Sequence, residues 1–394
     1  MLHLPLEKIR PGMITAQNIY NDRGVNYLMS GVPMTEAYLE RLDELGIGSL
    51  TVFSTETKND SVVNVELPRD VLDKKTRTEA LKNLRGIFDD IERKKTINIS
   101  LLKKPAHNIL EDILAHQRDL VQLSDVRQHD TYTFAHSVNV AVLSGLLGII
   151  LGYSPANLIT LILGGLLHDI GKVVVPREIL NKPGRLTKDE FDIIRMHPTA
   201  GRKQIDLMKD EPRAHLLGLI AEQHHEHMDG RGYPFGLRED KIAQLAKVVA
   251  IADVYDALTS QRSYKDPYPP HIAYNIMKNL SVGQFDRKML ELFFKNVAIY
   301  PVTTVIETNI GIGIVKKVHF GQTLRPEICM FADRKREFLE EPFILRLMDE
   351  PGVDILRVFN DEELLRFIDE KGVDPFVFLE KKYPRRNYRA GKII

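Results

Sequence analysis

The chain has 394 residues, 43% of them hydrophobic, which is enough for two or three domains and a sizeable buried core. Its 54 basic and 54 acidic side chains cancel, which excludes a global field that would attract a nucleic-acid polymer or an anionic membrane. The single cysteine, Cys329, excludes an intrachain disulfide. With an N-terminus too charged for a signal peptide, this composition predicts a cytoplasmic protein.

The first segment, residues 1–60, predicts a small α+β domain that we interpret as regulatory. Residues 19–28 are typical of two strands joined by a tight turn. Thr35 is a candidate cap for a following helix, and residues 50–53 predict a last strand. A stretch rich in Ser, Thr, Lys and Asn, around 54–64, is typical of a linker.

Residues 66–125 predict a helical linker or stalk. Apolar residues recur at three- and four-residue steps from Ala80 to Ile91, which makes one apolar stripe. Two interpretations stay open. The stripe can pack a helix against the next domain, or it can form a signalling stalk that joins two copies of the chain as a homodimer.

The stretch from Ser137 to Leu167 has no charged side chain. Gly152, Pro155 and Asn157 interrupt it, so its pieces are shorter than the roughly 20 residues that a membrane span requires. We therefore predict two buried core helices and no membrane span.

Residues 126–298 predict a continuous helical domain, and the character changes beyond it. Residues 303–306, 313–316 and 325–330 are typical of short strands. The sequence therefore predicts a small β-containing C-terminal extension over residues 300–394.

Within the helical segment, seven histidine and aspartate residues are the candidate metal ligands. They are His136, His168, Asp169, His197, His224, His225 and Asp253. Imidazole and carboxylate groups together suit iron, manganese or zinc, and seven of them can hold more than one ion. Multi-metal sites without thiolate ligands are usually hydrolytic, because paired ions activate water and stabilise an oxyanion.

Two motifs in this segment strongly resemble those of the HD-GYP family of metal phosphodiesterases. The first is His168-Asp169-Ile170-Gly171-Lys172, and the second runs from His224-His225-Glu226 to Gly232-Tyr233-Pro234. The resemblance covers roughly residues 128–298. It implies a mainly α fold: an HD-type helical bundle of seven or eight helices that carries a multi-metal site. The small α+β and β-rich segments would flank this bundle.

The resemblance also implies how the seven candidates divide between two divalent metal ions. His136, His168, Asp169 and Asp253 would bind the first ion, and His197, His224 and His225 would bind the second, with Asp169 shared. Iron is the favoured metal and manganese the alternative. Some members of the family bind a third metal through a glutamate at the position of Tyr132, and a phenol is a poor substitute for it. We therefore expect two metals.

The implied activity is hydrolysis of cyclic di-GMP, to pGpG or GMP, by a metal-activated hydroxide. Lys172 and Asp256 are the candidate catalytic residues, because Lys172 could reach a phosphate oxygen and Asp256 could orient or deprotonate the nucleophile. Arg262 and Lys265 match the segment that binds the substrate phosphate in the family. Residues 230–234, which we call the GYP loop, are expected to shape the pocket or to contact a protein partner.

Two alternatives to this activity stay open. The substrate could be another cyclic dinucleotide, because no residue that contacts a base can be assigned from the sequence. The chain could also be an inactive sensor or protein-docking module built on the same fold. The complete set of candidate ligands favours an enzyme.

Overall fold

In the computed structural model of the chain, the described residues are 2–16, 19–20, 26–29, 31–44, 47–53, 71–93, 95–116, 132–180, 182, 184–208, 211–260, 267–389 and 392–393. The chain divides into two compact units. One comprises residues 1–69 together with 298–394, and the other comprises residues 70–297.

The N-terminal part of the first unit is the predicted α+β segment. It contains β1 (Leu2–Pro5), β2 (Ile14–Thr15), β3 (Ile19–Tyr20), β4 (Asn26–Leu28), α1 (Glu36–Glu44) and β5 (Ser49–Phe53). Strands β1, β5 and β2 form an antiparallel sheet in that order, and β3 pairs with β4. The hydroxyl of Thr35 accepts a hydrogen bond from the backbone N–H of Tyr38 at 3.2 Å, which confirms the predicted cap. The turn at 21–25 and the linker at 54–64 lie outside the described residues.

The second unit is helical, as predicted. Its helices are α2 (Lys74–Glu92), α3 (Ser100–Ala115), α4 (Tyr132–Ile150), α5 (Pro155–Leu167), α6 (Arg177–Leu180), α7 (Lys188–Ile194), α8 (His197–Asp206), α9 (Ala214–Gln223), α10 (Gln244–Thr259), α11 (Pro270–Leu280) and α12 (Arg287–Asn296). The part of the unit that the structure describes thus has eleven helices, more than the seven or eight expected, because short helices and α2 and α3 belong to it as well.

Helices α4 and α5 are the central pair of this unit. Every residue of α5 from Leu158 to Leu167 is buried, which agrees with the predicted core helices. The two backbones approach closely at Gly165, where an added Cβ would lie 2.6 Å from the Cα of Ala141. The segment Pro155–Val174 is long and apolar enough to cross a membrane by composition, but 78% of its most apolar 18-residue window is buried. Burial of this kind is typical of a core helix.

Helix α2 packs within the helical unit through the apolar stripe that the sequence predicted. Ala80, Leu84 and Ile87 are fully buried, and Phe88 meets Phe134 edge to face at 5.1 Å between ring centroids. The interpretation of this stripe as the packing face of a domain helix therefore fits the structure. Burial of such side chains stabilises a fold by about 1.5–3 kcal/mol each.

The C-terminal segment completes the first unit. It contains β6 (Val305–Thr308), β7 (Gly311–Lys317), β8 (Glu327–Ala332), β9 (Phe338–Arg346), β10 (Ile355–Val358), α13 (Asp361–Lys371), α14 (Val377–Glu380), β11 (Tyr388–Arg389) and β12 (Lys392–Ile393). Five of the strands form an antiparallel sheet in the order β10-β6-β7-β8-β9. Cys329 lies in strand β8, between β7 and β9, and burial raises the pKa of its thiol to about 12, so it is a core residue without nucleophilic character.

The N-terminal and C-terminal segments share one hydrophobic core, which the sequence did not indicate. Leu2 and Val52 from the first segment belong to the same buried cluster as Ile314 and Phe331 from the second. The boundaries of the four predicted segments stay a prediction. The structure shows that its two outer parts form one body.

Candidate metal centre

The seven predicted ligand residues come together inside the helical unit. His136 lies on α4, His168 and Asp169 follow α5, His197 begins α8, His224 and His225 follow α9, and Asp253 lies on α10. Six of them are almost completely buried, and His225 is partly buried. The helices thus converge on one interior point, although the residues span 118 positions of the sequence from His136 to Asp253.

The residues form two clusters in which ligand atoms lie within 4.8 Å of one another. The first cluster is His136, His168 and Asp253. The second cluster is Asp169, His197, His224 and His225. This division matches the two predicted ion sites. The role of these residues as ligands stays a prediction.

Asp169 lies between the two clusters. Its Oδ2 is 3.2 Å from Nε2 of His168, and its Oδ1 is 3.3 Å from Nε2 of His197. A carboxylate has two oxygens that can each bind an ion, so Asp169 is placed to bridge two metals. The predicted sharing of Asp169 between two ions stays a prediction.

The orientation of three histidines is fixed by the backbone of their own helical turns. Nδ1 of His168 lies 2.8 Å from the carbonyl of Gly165, and that of His197 lies 2.7 Å from the carbonyl of Ile194. His224 contacts the carbonyl of Ala221 in the same way at 3.0 Å. A carbonyl only accepts, so each Nδ1 donates a proton to its carbonyl and each ring turns Nε2 toward the centre.

His136 is held differently, by a carboxylate. Its Nδ1 donates to Oδ2 of Asp256 at 2.7 Å, and its Nε2 lies 3.1 Å from Oδ1 of Asp253. The other oxygen of Asp256 accepts from Asn139 and from the hydroxyl of Ser260, both at 2.9 Å. The sequence predicted that Asp256 acts on the nucleophile. Both of its oxygens are engaged by these groups, so its contacts hold Nδ1 of His136, and its action on the nucleophile stays a prediction.

The charges of His197, His225 and Asp169 suit cation binding, whereas protonated His136 must release its proton to bind a cation. Burial lowers the pKa of His197 to about 3 and that of His225 to about 4, so both imidazoles are neutral at physiological pH. Burial alone would raise the pKa of Asp169, but His168 and Lys172 hold it well below the usual range. At His136 burial also lowers the pKa, but hydrogen bonds to Asp253 and Asp256 outweigh it and raise the pKa to about 9.

Two buried polar atoms support a fit to metal ions. Nε2 of His168 and Oδ1 of Asp169 are buried and have no hydrogen-bond partner among the described residues. An unsatisfied buried polar atom costs about 1–3 kcal/mol, so native proteins rarely leave one without a partner. A divalent cation between the imidazoles and carboxylates would satisfy both atoms. The donor set of nitrogen and oxygen therefore fits two ions of a first-row transition metal.

The rest of the first motif has clear structural roles. Lys172 forms an ion pair with Oδ2 of Asp169, so its ammonium group lies next to the centre and is partly exposed. Gly171 lies against the start of α8, where an added Cβ would stand 1.9 Å from the carbonyl oxygen of His197. Only glycine permits this approach, which brings His197 to Asp169.

The second motif builds the loop beside the centre, and two of its residues have roles that the sequence analysis missed. Glu226 is buried and accepts hydrogen bonds from the backbone N–H groups of Phe235 at 2.7 Å and Leu237 at 2.8 Å. Tyr233 stacks on His225, with 4.7 Å between ring centroids and 27° between the planes. The position of Glu226 directly after two candidate ligands was the available signal.

Three predicted site groups cannot be placed. Arg262 and Lys265 lie outside the described residues, and so does the side chain of Tyr132 at the start of α4. The predictions that Arg262 and Lys265 bind the substrate, and that Tyr132 disfavours a third metal, therefore stay predictions.

Comparison with known proteins finds a family model that matches part of the chain. Residues 108–289 match the family model described as an HD domain. The chain is 36% identical over 247 residues to a cyclic di-GMP phosphodiesterase of Pseudomonas aeruginosa, which is 62% of this chain and 59% of that protein. It is 34% identical over 237 residues to a cyclic di-GMP phosphodiesterase of Thermotoga maritima, covering 59% of this chain and 63% of that one.

A relative named for a different substrate and a solved structure also align with the chain. The chain is 33% identical over 200 residues to the 3′3′-cGAMP-specific phosphodiesterase 1 of Vibrio cholerae, covering 50% of this chain and 45% of that protein. The solved structure of an HDG"Y"P protein of Bdellovibrio bacteriovorus aligns with a TM-score of 0.47 at 21% identity, over 74% of this chain and 97% of that one. The chain spans less than two thirds of the length of these three curated relatives.

Proposed function

Because the chain is an HD domain protein related to the HD-GYP cyclic di-GMP phosphodiesterases, we propose that it is a metal-dependent phosphodiesterase that hydrolyses cyclic di-GMP. The observation that carries this proposal is Asp169, a buried carboxylate placed between two clusters of imidazole and carboxylate groups. The two clusters would hold two ions with Asp169 between them, and paired ions supply the chemistry that hydrolysis of a phosphodiester requires.

The residues of the chain would have the following roles in this reaction. The two clusters would hold two ions, of which iron is the favoured metal and manganese the alternative. When bound, the ions would supply Lewis acidity that activates water and neutralises negative charge on the phosphate oxygens. Lys172 pairs with Asp169 at the partly exposed side of the centre, where its ammonium group would bind a phosphate oxygen of the substrate. Arg262 and Lys265 would bind the second phosphate.

A second substrate has support of its own. The relative from Vibrio cholerae is specific for 3′3′-cGAMP, so the same family accepts a mixed dinucleotide. The choice between cyclic di-GMP and 3′3′-cGAMP is made by contacts to the bases, not by the metal centre. We place cyclic di-GMP first, because two of the relatives described above carry that name. We also propose a cytoplasmic location, a pGpG or GMP product, and a protein partner at the GYP loop or a homodimer as features to test.

The experiment is hydrolysis of both dinucleotides by anaerobically purified protein, with iron and manganese counted on the same sample. The test variant is Asp169→Ala, which removes the bridge between the clusters. The matched control is His215→Ala, because His215 is exposed and belongs to neither cluster.

We expect turnover of cyclic di-GMP with about two metals per chain, lost in Asp169→Ala and kept in His215→Ala. Faster turnover of 3′3′-cGAMP would move the assignment to the second substrate. Three metals would show that Tyr132 is no barrier to a third site. Bound metal without turnover of either dinucleotide would refute the enzyme and leave a sensor or docking module.

A further inference from the structure

A row of four buried side chains connects α2 to the first metal cluster. Nη1 of Arg77 donates to Oδ1 of Asn139 at 3.0 Å, and Nδ2 of Asn139 donates to Oδ1 of Asp256 at 2.9 Å. Oδ2 of Asp256 then accepts from Nδ1 of His136 at 2.7 Å. The exposed fractions of Arg77, Asn139, Asp256 and His136 are 6%, 5%, 1% and 5%. We call this row the relay.

The chemistry of the donors fixes the direction of every bond in the relay. A guanidinium group only donates, so the amide of Asn139 must turn its oxygen to Arg77. The amide N–H is then left to face the carboxylate of Asp256. In this way Arg77 locks the one amide orientation that can hold Asp256 in place. Hydrogen bonds to charged groups are short and strong, and burial strengthens them further.

We propose that Arg77 and Asn139 are positioning residues for the first metal site, acting through Asp256 on His136. The proposal deepens the metal-dependent function proposed above and rests on it. Arg77 lies before residues 108–289, which match the HD domain model, so this support comes from a helix outside the matched region. Partners behind a metal-binding histidine set the orientation and basicity of its ring.

The relay should affect one metal site and leave the other alone. In the second cluster, His197 and His224 are oriented by carbonyl groups of their own helical turns. Those contacts do not depend on any other side chain. His136 depends on a remote carboxylate instead, so a change at Arg77 should loosen only the site that contains His136.

The test is titration of metal-free protein with manganese(II), which resolves the dissociation constants of the two sites. In Arg77→Met, which keeps the bulk of the side chain and removes its donors, we expect one dissociation constant to rise about 10- to 100-fold and the other to stay at the wild-type value. Arg77→Lys keeps a charged donor and should fall between Arg77→Met and wild type. Excess manganese should restore kcat in Arg77→Met, because only occupancy is impaired.

The matched control is Leu84→Ala, on the same helix and fully buried, which lowers the melting temperature without touching the relay. Wild-type affinities at both sites in Arg77→Met would overturn the proposal. An equal rise of the same dissociation constant in Leu84→Ala would also overturn the proposal. Should Arg77→Met fail to melt cooperatively, the same titration on Asn139→Ser decides between these outcomes. The titration needs no turnover, so failure of the phosphodiesterase assay in the wild type would refute the proposed function without obscuring this result.

Discussion

Replacement of Gly171 by alanine should separate the two metal clusters. The new Cβ would stand 1.9 Å from the carbonyl oxygen of His197 and 2.4 Å from the backbone nitrogen of Gly201, whereas Cβ contacts in proteins essentially never fall below 3.0 Å. Both neighbours are backbone atoms of α8, so the helix must move by about 1 Å or more. Overpacking of this kind costs about 1–3 kcal/mol, which lowers the melting temperature of a unit this size by about 2–12 °C.

The shift would also move His197 away from Asp169, since its backbone is the part that is pushed. A misplacement of about 1 Å can cost roughly 100-fold in rate. We therefore expect Gly171→Ala to fold, to lose metal from the second cluster in titration with manganese(II), and to lose about two orders of magnitude in kcat.

The matched control is Gly86→Ala on α2, where an added Cβ meets nothing within 4 Å. Gly86→Ala should keep both metals, and its free energy of unfolding should rise by about 0.5–1 kcal/mol, because alanine is the better helix former. Wild-type metal content and rate in Gly171→Ala would refute the reasoning, since they would mean that the approach of the two backbones does not position His197.

Three further changes test other parts of the centre. His136, with a pKa of about 9, is protonated in metal-free protein at pH 7.5, so metal binding should release its proton, and release should fall as the pH rises through 9. Metal titration by calorimetry, in buffers of different ionisation enthalpy, should show that Asp256→Asn releases fewer protons than the wild type at pH 7.5. Equal proton release by the two proteins would contradict the role of Asp256 in holding His136. Tyr233→Phe should keep the stack on His225 and bind manganese with wild-type affinity, while Tyr233→Ala should lower the manganese affinity of the second cluster. Equal affinities in the two variants would show that the stack does not contribute to metal binding. Glu226→Gln should cost about 1–3 kcal/mol in thermal unfolding, because an amide cannot accept both loop N–H groups, and an unchanged melting curve would argue against this role.

The sequence predicted which residues meet at the centre, because the resemblance of its two motifs to those of the HD-GYP family implies that set of residues. Both clusters formed from the seven candidates, with Asp169 between them. The role of Asp256 was harder. Asp256 follows Asp253 by three residues, which places both on one helix face, but this spacing does not reveal which residues of α4 contact Asp256. The contacting residues are His136 and Asn139, which are also three residues apart.

The shared core of the outer segments could not have been predicted in the same way. Periodicity shows which side of a strand or helix is apolar, and it does not name the partner. Leu4 on β1 and Phe367 on α13 belong to one core although more than 360 residues separate them. The alternation along each element is compatible with many partners, so only the folded chain identifies the right one.

That shared core sets the order in which the protein can be completed on the ribosome. Residues 54–297 are synthesised after β5 and before the strands of the C-terminal sheet. At about 5–20 residues per second this takes roughly 12–50 s. For that time the apolar side chains of β1 and β5, among them Leu2 and Val52, have no C-terminal partner to cover them. The ribosome therefore finishes the helical unit, which contains the metal centre, before the unit made of residues 1–69 and 298–394 can form its core.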